Sequence, residues 1–485
     1  MAARSTIMDA NSFRSEHADR LDRDTRKLTD RRDELLGGSY RLFYRNPVHL
    51  VRGEGQYLWD ANGTKYLDMY NNVASIGHAH PAVVEAVHAQ MKQLNTHTRY
   101  IHERILDYTD SFRNTLPDYM DPMDFKAMYV CTGSEANDLA LRVAKSFSGG
   151  TGLIATTEAY HGNSELSSGV SPALGAGQPV GSDVWLIEAP DAYRTGEADI
   201  GAWFARRIRE TIADMAEAGV TFAGFIADSI FSSDGVLPGD YLTEAIDVVH
   251  GAGGIFIADE VQPGFARTGD HFWGFANHGV TPDIITTGKP MGNGIPVAGI
   301  LARSDVLEAF SGSLPYFNTF GGNPVSMAAA QAVLDVIERE GLQEHARTVG
   351  AEALDAFRQV GERHHQVGDV RGAGLFIGFE LVADPDYWGG APKMQQVLIR
   401  HVAEAATQRL LLESGDVDMA KNLTPDQVAG LSGNAAIKVE TYPQTAVHWF
   451  SFNQKHEPLT NPALWHAARY LVDYKGMADS FLKGQ

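Results

Sequence analysis

The sequence predicts an α/β protein whose main domain is a mostly parallel sheet, and three observations predict it. Six short runs, MYVC (128–131), GLIATT (152–157), FAGFIADSIF (222–231), GGIFIADE (253–260), DIITTG (283–288) and VAGILA (297–302), are apolar nearly throughout, as strands covered on both faces are. Stretches with apolar residues at helical spacing separate these runs, the alternation that builds parallel sheets. The 485 residues, 44% apolar, 21% charged and 9% aromatic, have the composition of a packed globular chain and the length for two lobes.

The elements follow in order. The opening segment to about Leu36 alternates charges without an apolar h-region, so it reads as a surface helix or arm able to pack on a partner subunit, and not as a secretory signal. From Gly55, GQYLWDANGTKYLDMYNNV alternates apolar and polar residues around Ala61-Asn62-Gly63, the signal of a hairpin with an Asn-Gly turn. After His80-Pro81 the apolar positions Val83, Val84, Val87, Met91 and Leu94 give a helix, and the α/β domain then runs over 75–327. From about Ala328 the text SMAAAQAVLDVIEREGL is helical, and GLFIGFEL (374–381) adds a strand. These predict a smaller α+β lobe over 328–485, with 1–74 as an N-terminal arm and β segment. Neither a solenoid period nor a low-complexity tract is present.

Composition excludes several function classes. Lysine and arginine number 40 against 61 aspartate and glutamate, a formal charge of -21, which argues against nucleic acid as a partner. The single cysteine, Cys131, excludes an internal disulfide, and no Cys/His cluster has zinc spacing. No apolar run approaches the roughly 18 residues of a membrane span. The expectation is a cytoplasmic protein without membrane or nucleic-acid partners.

Five segments have chemical content. In Cys131-Thr132-Gly133-Ser134-Glu135-Ala136-Asn137, Thr132 and Glu135 have capping-box spacing, so a helix starts here, with Leu139, Ala140, Val143, Ala144 and Phe147 as its apolar face. Its first N–H groups, beside the small Gly133-Ser134 pair, suit a phosphate, although taken alone the motif favours ordinary helix capping and the phosphate reading needs support elsewhere. Asp259 stands at the carboxyl end of GGIFIADE, where ligands of open sheets gather. It needs a partner such as a protonated heterocyclic nitrogen, an arginine or a helix cap, and Glu260 should point the opposite way. Lys289 ends the apolar run DIITTG, and burial of an ammonium there depresses its pKa, as Schiff-base chemistry requires. A lysine snorkelling to the surface is the other reading.

Tyr160-His161-Gly162 follows GLIATT and offers a ring to stack on a flat cofactor or to anchor a loop. Thr319, in the loop before the helix from Ala328, is available to a phosphate or to turn chemistry. The glycines around Lys289 match neither the Walker loop nor the dinucleotide pattern, and neither HExxH nor G-x-S-x-G occurs.

In this order, with thirty positions from Asp259 to Lys289, these segments resemble the class III pyridoxal-phosphate (PLP) aminotransferases of fold type I, over about residues 40 to 381. The resemblance implies a homodimer with shared active sites, a small domain built from both chain ends, and PLP held on Lys289 as a Schiff base. It implies that Asp259 pairs with the pyridinium nitrogen, Gly133 and Ser134 bind the phosphate, and Tyr160 stacks on the ring with His161 beside it. Val261 would lie against the ring face and Gln262 near its hydroxyl. Thr319 would reach the phosphate of the neighbouring subunit's cofactor. The implied reaction moves an amino group from a small amine or amino acid to a 2-oxo acid or aldehyde.

YNNVASIGHAHPAVVEAV, LNTHTRYIHERILDY and YHGNS followed by SGVSP resemble the branch with ethanolamine-phosphate and phosphohydroxylysine phospho-lyases. Phosphate elimination from an amino-alcohol phosphate is therefore the alternative. Two departures stand out. Asp228-Ser229 replaces the family's Glu-Pro. No arginine occurs between Arg409 and Arg469, where family members carry one for a substrate carboxylate. Lys438, His448 and Lys455 are the candidate substitutes, none of them giving its bidentate fork; Arg99 and Arg267 are the other candidate anion partners, Arg267 reading as structural.

Overall fold

The computed structural model describes residues 12–382, save 71–72, 176 and 313–314, together with positions 428, 431, 434 and 437. The chain divides into two compact units, Met1–Tyr387 and Trp388–Gln485, and the description below concerns the first. Lys438, His448, Lys455 and most of the predicted 328–485 lobe lie outside the described residues.

The charged opening segment folds as helix α1 (Arg23–Leu35), capped by Asp22, whose carboxylate accepts from the Asp24 and Thr25 amides at 3.0 and 2.9 Å. Strands β1 (Leu50–Glu54), β2 (Tyr57–Asp60) and β3 (Lys65–Leu67) form an antiparallel meander. The turn expected at Asn62-Gly63 joins β2 to β3, with Asp60 accepting from the Asn62 and Thr64 amides at 2.9 and 2.8 Å. Helices α2 (Pro81–Gln93) and α3 (Glu103–Arg113) lead into the main sheet.

That sheet comprises β4 (Phe125–Val130), β5 (Gly152–Thr156), β6 (Val184–Ile187), β7 (Phe222–Asp228), β8 (Ile255–Asp259), β9 (Ile284–Thr287) and β10 (Ala298–Arg303), in the order β4-β10-β9-β8-β7-β5-β6. Helices α4 (Gly133–Ser148), α5 (Glu165–Gly169), α6 (Ala192–Thr195), α7 (Ile200–Glu217), α8 (Thr243–Gly251) and α9 (Ser304–Ser311) intervene or follow. All six predicted strands are present. The edge strand β6, VWLI, was not among them, being four residues and only partly buried.

Strand β10 runs antiparallel to both β4 and β9, while β9, β8, β7, β5 and β6 pair in parallel. The connection 288–297 between β9 and β10 is too short for the crossover a parallel return needs.

Burial on two faces appears residue by residue in β8. Phe256 and Ala258 join one apolar cluster with Phe204, Phe225 and Trp273, whereas Ile255 and Ile257 join the other with Leu139, Ala140 and Val143 of α4. Phe147, expected on the α4 apolar face, is 40% exposed. Helix α10 (Pro324–Arg339) starts behind the Asn323 cap and buries Met327, Ala330 and Val333 in the cluster of Phe225 and Phe256. The expected boundary at 327/328 therefore falls inside a helix that packs on the sheet core. Helix α11 (Leu342–Gly361) and the antiparallel pair β11 (Val367–Ala373) and β12 (Phe376–Leu381) complete the described part, β12 being the predicted GLFIGFEL.

Candidate active site

The carboxyl ends of the parallel strands set the site. Pairing register aligns Asp228 of β7 with Asp259 of β8, and Asp259 with Thr286 of β9. Lys289 follows β9, and α4 opens beside it after β4. Residues distant in sequence therefore meet at one edge of the sheet.

The start of α4 has the expected capping box. Thr132 Oγ1 accepts from the Glu135 amide at 3.2 Å, and Glu135 Oε2 accepts from the amides of Thr132 and Cys131 at 3.0 and 2.9 Å. Among the described residues the Gly133 and Ser134 N–H groups have no hydrogen-bond partner, so two donors at a helix N-terminus await an acceptor. Close approach needs glycine around them. A Cβ on Gly288 would stand 2.9 Å from the Gly133 nitrogen, and one on Gly133 would stand 3.0 Å from Val261 Cγ2. Gly162, at φ +138°, would place a Cβ 2.6 Å from Ser134 Oγ, while Ser134 Oγ accepts from the Asn163 amide at 3.2 Å.

Asp259 is buried and held by three donors. Its Oδ2 accepts from Asn137 Nδ2 at 2.8 Å and from His161 Nδ1 at 2.7 Å, and its Oδ1 accepts from the Val261 amide at 3.1 Å. Because a carboxylate only accepts, His161 Nδ1 is the protonated nitrogen of that pair. His161 Nε2 is buried with no partner among the described residues. Asn137 Nδ2 also donates to the His161 carbonyl at 2.7 Å, and Thr286 Oγ1 donates to Asn137 Oδ1 at 2.5 Å. Glu260 points the other way, as expected, accepting from Ser229 Oγ at 2.6 Å and the Gly274 and Phe275 amides at 2.7 and 2.9 Å.

Lys289 is largely withdrawn from solvent, and its amine makes no hydrogen bond or ion pair among the described residues. Burial pushes its pKa below the ordinary lysine range and Arg267 adds to this, while Asp259 and Asp228 pull the other way. Burial dominates likewise at the neighbouring acids. Asp228 is raised although it accepts from the Ile230 and Ser232 amides at 3.0 and 3.1 Å and from the Ser232 hydroxyl. Asp234, bonded by Thr156 Oγ1 at 2.9 Å, is raised to about 7, and Glu260 is raised to about 7.

Tyr160 precedes His161 and is partly exposed; burial first, then the charge of Asp259, pushes its hydroxyl pKa up. Val261 and Gln262 form the turn after β8. Thr319 is exposed, and its neighbour Asn318 donates to Glu135 Oε1 at 3.3 Å, which places this loop beside the α4 cap. Arg99 lies with its guanidinium 3.9 Å from the Phe317 ring centroid. The Arg267 guanidinium lies 5.7 Å from the Phe376 ring centroid, and its carbonyl accepts from the Leu375 amide at 3.0 Å. Asn137 and Thr286 were not singled out by sequence reasoning, although Asn137 stands in the capping motif. Among the described residues no group of three His, Cys, Asp or Glu side chains could hold a metal ion.

The donor set suits PLP: an unpaired depressed amine for the aldehyde, a buried carboxylate for the ring nitrogen, and two free amides against a glycine floor for the phosphate. The sequence profile of the class-III aminotransferase family matches residues 43–411, and that of the bacterial extracellular solute-binding proteins, family 5 middle, matches residues 378–485. The chain is 41% identical to the alanine–glyoxylate aminotransferase 2-like protein of Drosophila melanogaster, over 73% of this chain and 74% of that one. It is 34% identical to ethanolamine-phosphate phospho-lyase homolog 1 of Caenorhabditis elegans, over 75% and 81%. Among solved structures, a phospholyase from Arthrobacter in complex with phosphoethanolamine superposes with a TM-score of 0.70 at 36% identity, covering 75% of this chain and 86% of that one.

Proposed function

This chain belongs to the class-III aminotransferase family, and on that premise we propose that it moves an amino group from a small amine or amino acid to a 2-oxo acid or aldehyde in two half-reactions. It is a PLP-dependent enzyme of fold type I. When bound, PLP supplies an electron sink for the carbon that loses its proton. The observation behind the reading is the pairing of an unpartnered, depressed Lys289 with a buried Asp259 at one sheet edge.

In this reading Asp259 pairs with the ring nitrogen and keeps it protonated, and the Gly133 and Ser134 amides hold the phosphate. Tyr160 stacks on the ring, His161 orients Asp259, Val261 lies against the ring face, and Gln262 approaches the ring hydroxyl. Lys289 Nζ would hold the cofactor and, once the incoming substrate amine displaces it, would be free as an amine to take the proton from the substrate carbon that bears the amine. Two copies of the chain form the working unit, with Thr319 reaching the phosphate in the partner. The exposure of large apolar side chains such as Ile101, Met69 and Phe320, 96%, 84% and 70% accessible, supports a subunit contact. A single cysteine supports a reducing, cytoplasmic setting.

The test is a half-reaction. Amines, amino acids and amino-alcohol phosphates are added to the holoenzyme without acceptor while the visible cofactor spectrum is followed. Stoichiometric loss of the visible band, reversed by a 2-oxo acid, is the expected result. The phospholyase-like relatives and structure favour one second reading, phosphate elimination. A persistent visible band with phosphate and ammonia accumulating from a phosphorylated amino alcohol would establish it instead.

A further inference from the structure

We propose that Asn137 is a positioning residue, one that fixes the Asp259 carboxylate toward the cofactor ring nitrogen and ties it to the strand leading into Lys289. The inference rests on the PLP reading above and extends it to a residue that touches none of the reacting atoms. Asn137 is 1% exposed and faces inward from α4 among Leu139, Ala140 and Val143. An amide there costs stability unless its hydrogen bonds are made. Both of its N–H groups are used, toward Asp259 Oδ2 at 2.8 Å and the His161 carbonyl at 2.7 Å, and its carbonyl accepts from Thr286 Oγ1 at 2.5 Å.

Every partner belongs to the site. Asp259 is the ring-nitrogen carboxylate, and Thr286 stands three positions before Lys289. His161, whose carbonyl Asn137 holds, donates its own Nδ1 to the same Asp259 oxygen at 2.7 Å. Asn137 also lies one helical turn beyond Gly133, whose free amide would hold the phosphate in that reading. One side chain thus couples three anchors: the phosphate end through α4, the ring nitrogen through Asp259, and the lysine through β9. A leucine of similar size would fill the space, so packing alone does not call for asparagine. The amide keeps the carboxylate in one orientation, the one in which it would meet the ring nitrogen.

The test uses the holoenzyme of the full chain. Asn137→Ala removes all three bonds; Thr286→Val removes one hydroxyl at nearly constant volume, and Thr286→Ser restores it. Readouts are the PLP dissociation constant by equilibrium dialysis, the pH titration midpoint of the bound cofactor's visible absorbance, and kcat and KM separately. For Asn137→Ala we expect PLP binding weakened about 10- to 100-fold, as for a lost hydrogen bond to a charged group, with a displaced titration midpoint. The fall should be in kcat, with the amine KM little changed. Thr286→Val should shift each readout in the same direction by less, and Thr286→Ser should return it to wild type. A midpoint and affinity equal to wild type in Asn137→Ala overturn the proposal. If that variant does not fold, an unshifted Thr286→Val overturns it. Wild-type protein that forms no visible adduct would sink the PLP reading itself, a distinct outcome.

Discussion

The chain up to Tyr387 and residues 388–485 contrast in every respect that can be compared. In the first unit the capping motif, the strand ends, the sheet order and the class-III profile agree on one site. The second unit lies wholly within the solute-binding profile at 378–485, which the aminotransferase profile overlaps only as far as 411. It also lacks any arginine between Arg409 and Arg469. The difference separates two tasks that the family combines. In the reading proposed above, cofactor chemistry falls to Asp259, Lys289 and the start of α4, all in the first unit. Recognition of a substrate carboxylate, which the family gives to an arginine further on, has no such residue here.

Breaking the first unit at its lysine should have the largest effect. Lys289→Ala is expected to lose borohydride-reducible cofactor attachment and about 10³-fold or more in turnover; a reducible adduct surviving at this position would refute the assignment. Asp259→Ala comes next, since it leaves the Asn137 amide and His161 Nδ1 without their acceptor. Turnover should drop about 10²-fold, and a steady-state rate equal to wild type would count against the ring-nitrogen pairing. Gly288→Ala pushes a Cβ to 2.9 Å from the Gly133 nitrogen and is expected to cost about 1–3 kcal/mol, measured as a lower Tm and weaker PLP retention.

Glu260 gives a pH test confined to the first unit. Its carboxyl is raised from 4.5 to about 7, so the folded state binds the proton more tightly than the unfolded state does. Stability therefore falls as pH rises from about 4.5 to about 7, by at most on the order of 3 kcal/mol. Glu260→Gln does not titrate, and its Tm should vary less across that window; an equally steep profile would assign the loss to other groups, such as Asp234. The smallest effect belongs to the second unit. Alanine at Lys438, His448 and Lys455 together should leave PLP affinity unchanged and move the KM for a carboxylate-bearing donor less than about threefold, since a lysine point charge gives no bidentate fork. A large rise in KM would show that the tail does recognise substrate.

Much of the site was legible because its signals are local. Thr132 and Glu135 cap one helix across three positions, and Asp259 and Lys289 each end an apolar run, so their placement at the sheet edge followed from strand polarity. Asn137 was not legible. Its partners His161, Asp259 and Thr286 lie 24, 122 and 149 positions away, and only strand order brings them together. The reversal of β10 had a sequence trace in the short 288–297 connection, whereas VAGILA itself contains nothing that encodes direction. The edge strand β6 was missed because a four-residue, half-buried run gives too little periodicity to separate it from a loop.

The contact between Gly133 and Gly288 makes the backbone itself a gauge. The spacing between the Lys289 backbone and the first turn of α4, proposed above to hold the phosphate, is set where two main chains approach each other. Enzyme engineers changing the substrate range of this scaffold are therefore best served by residues on the solvent side of Tyr160, leaving this pair intact. Cofactor analogues with a longer phosphate arm should be refused by the same gauge, whatever is altered around the ring.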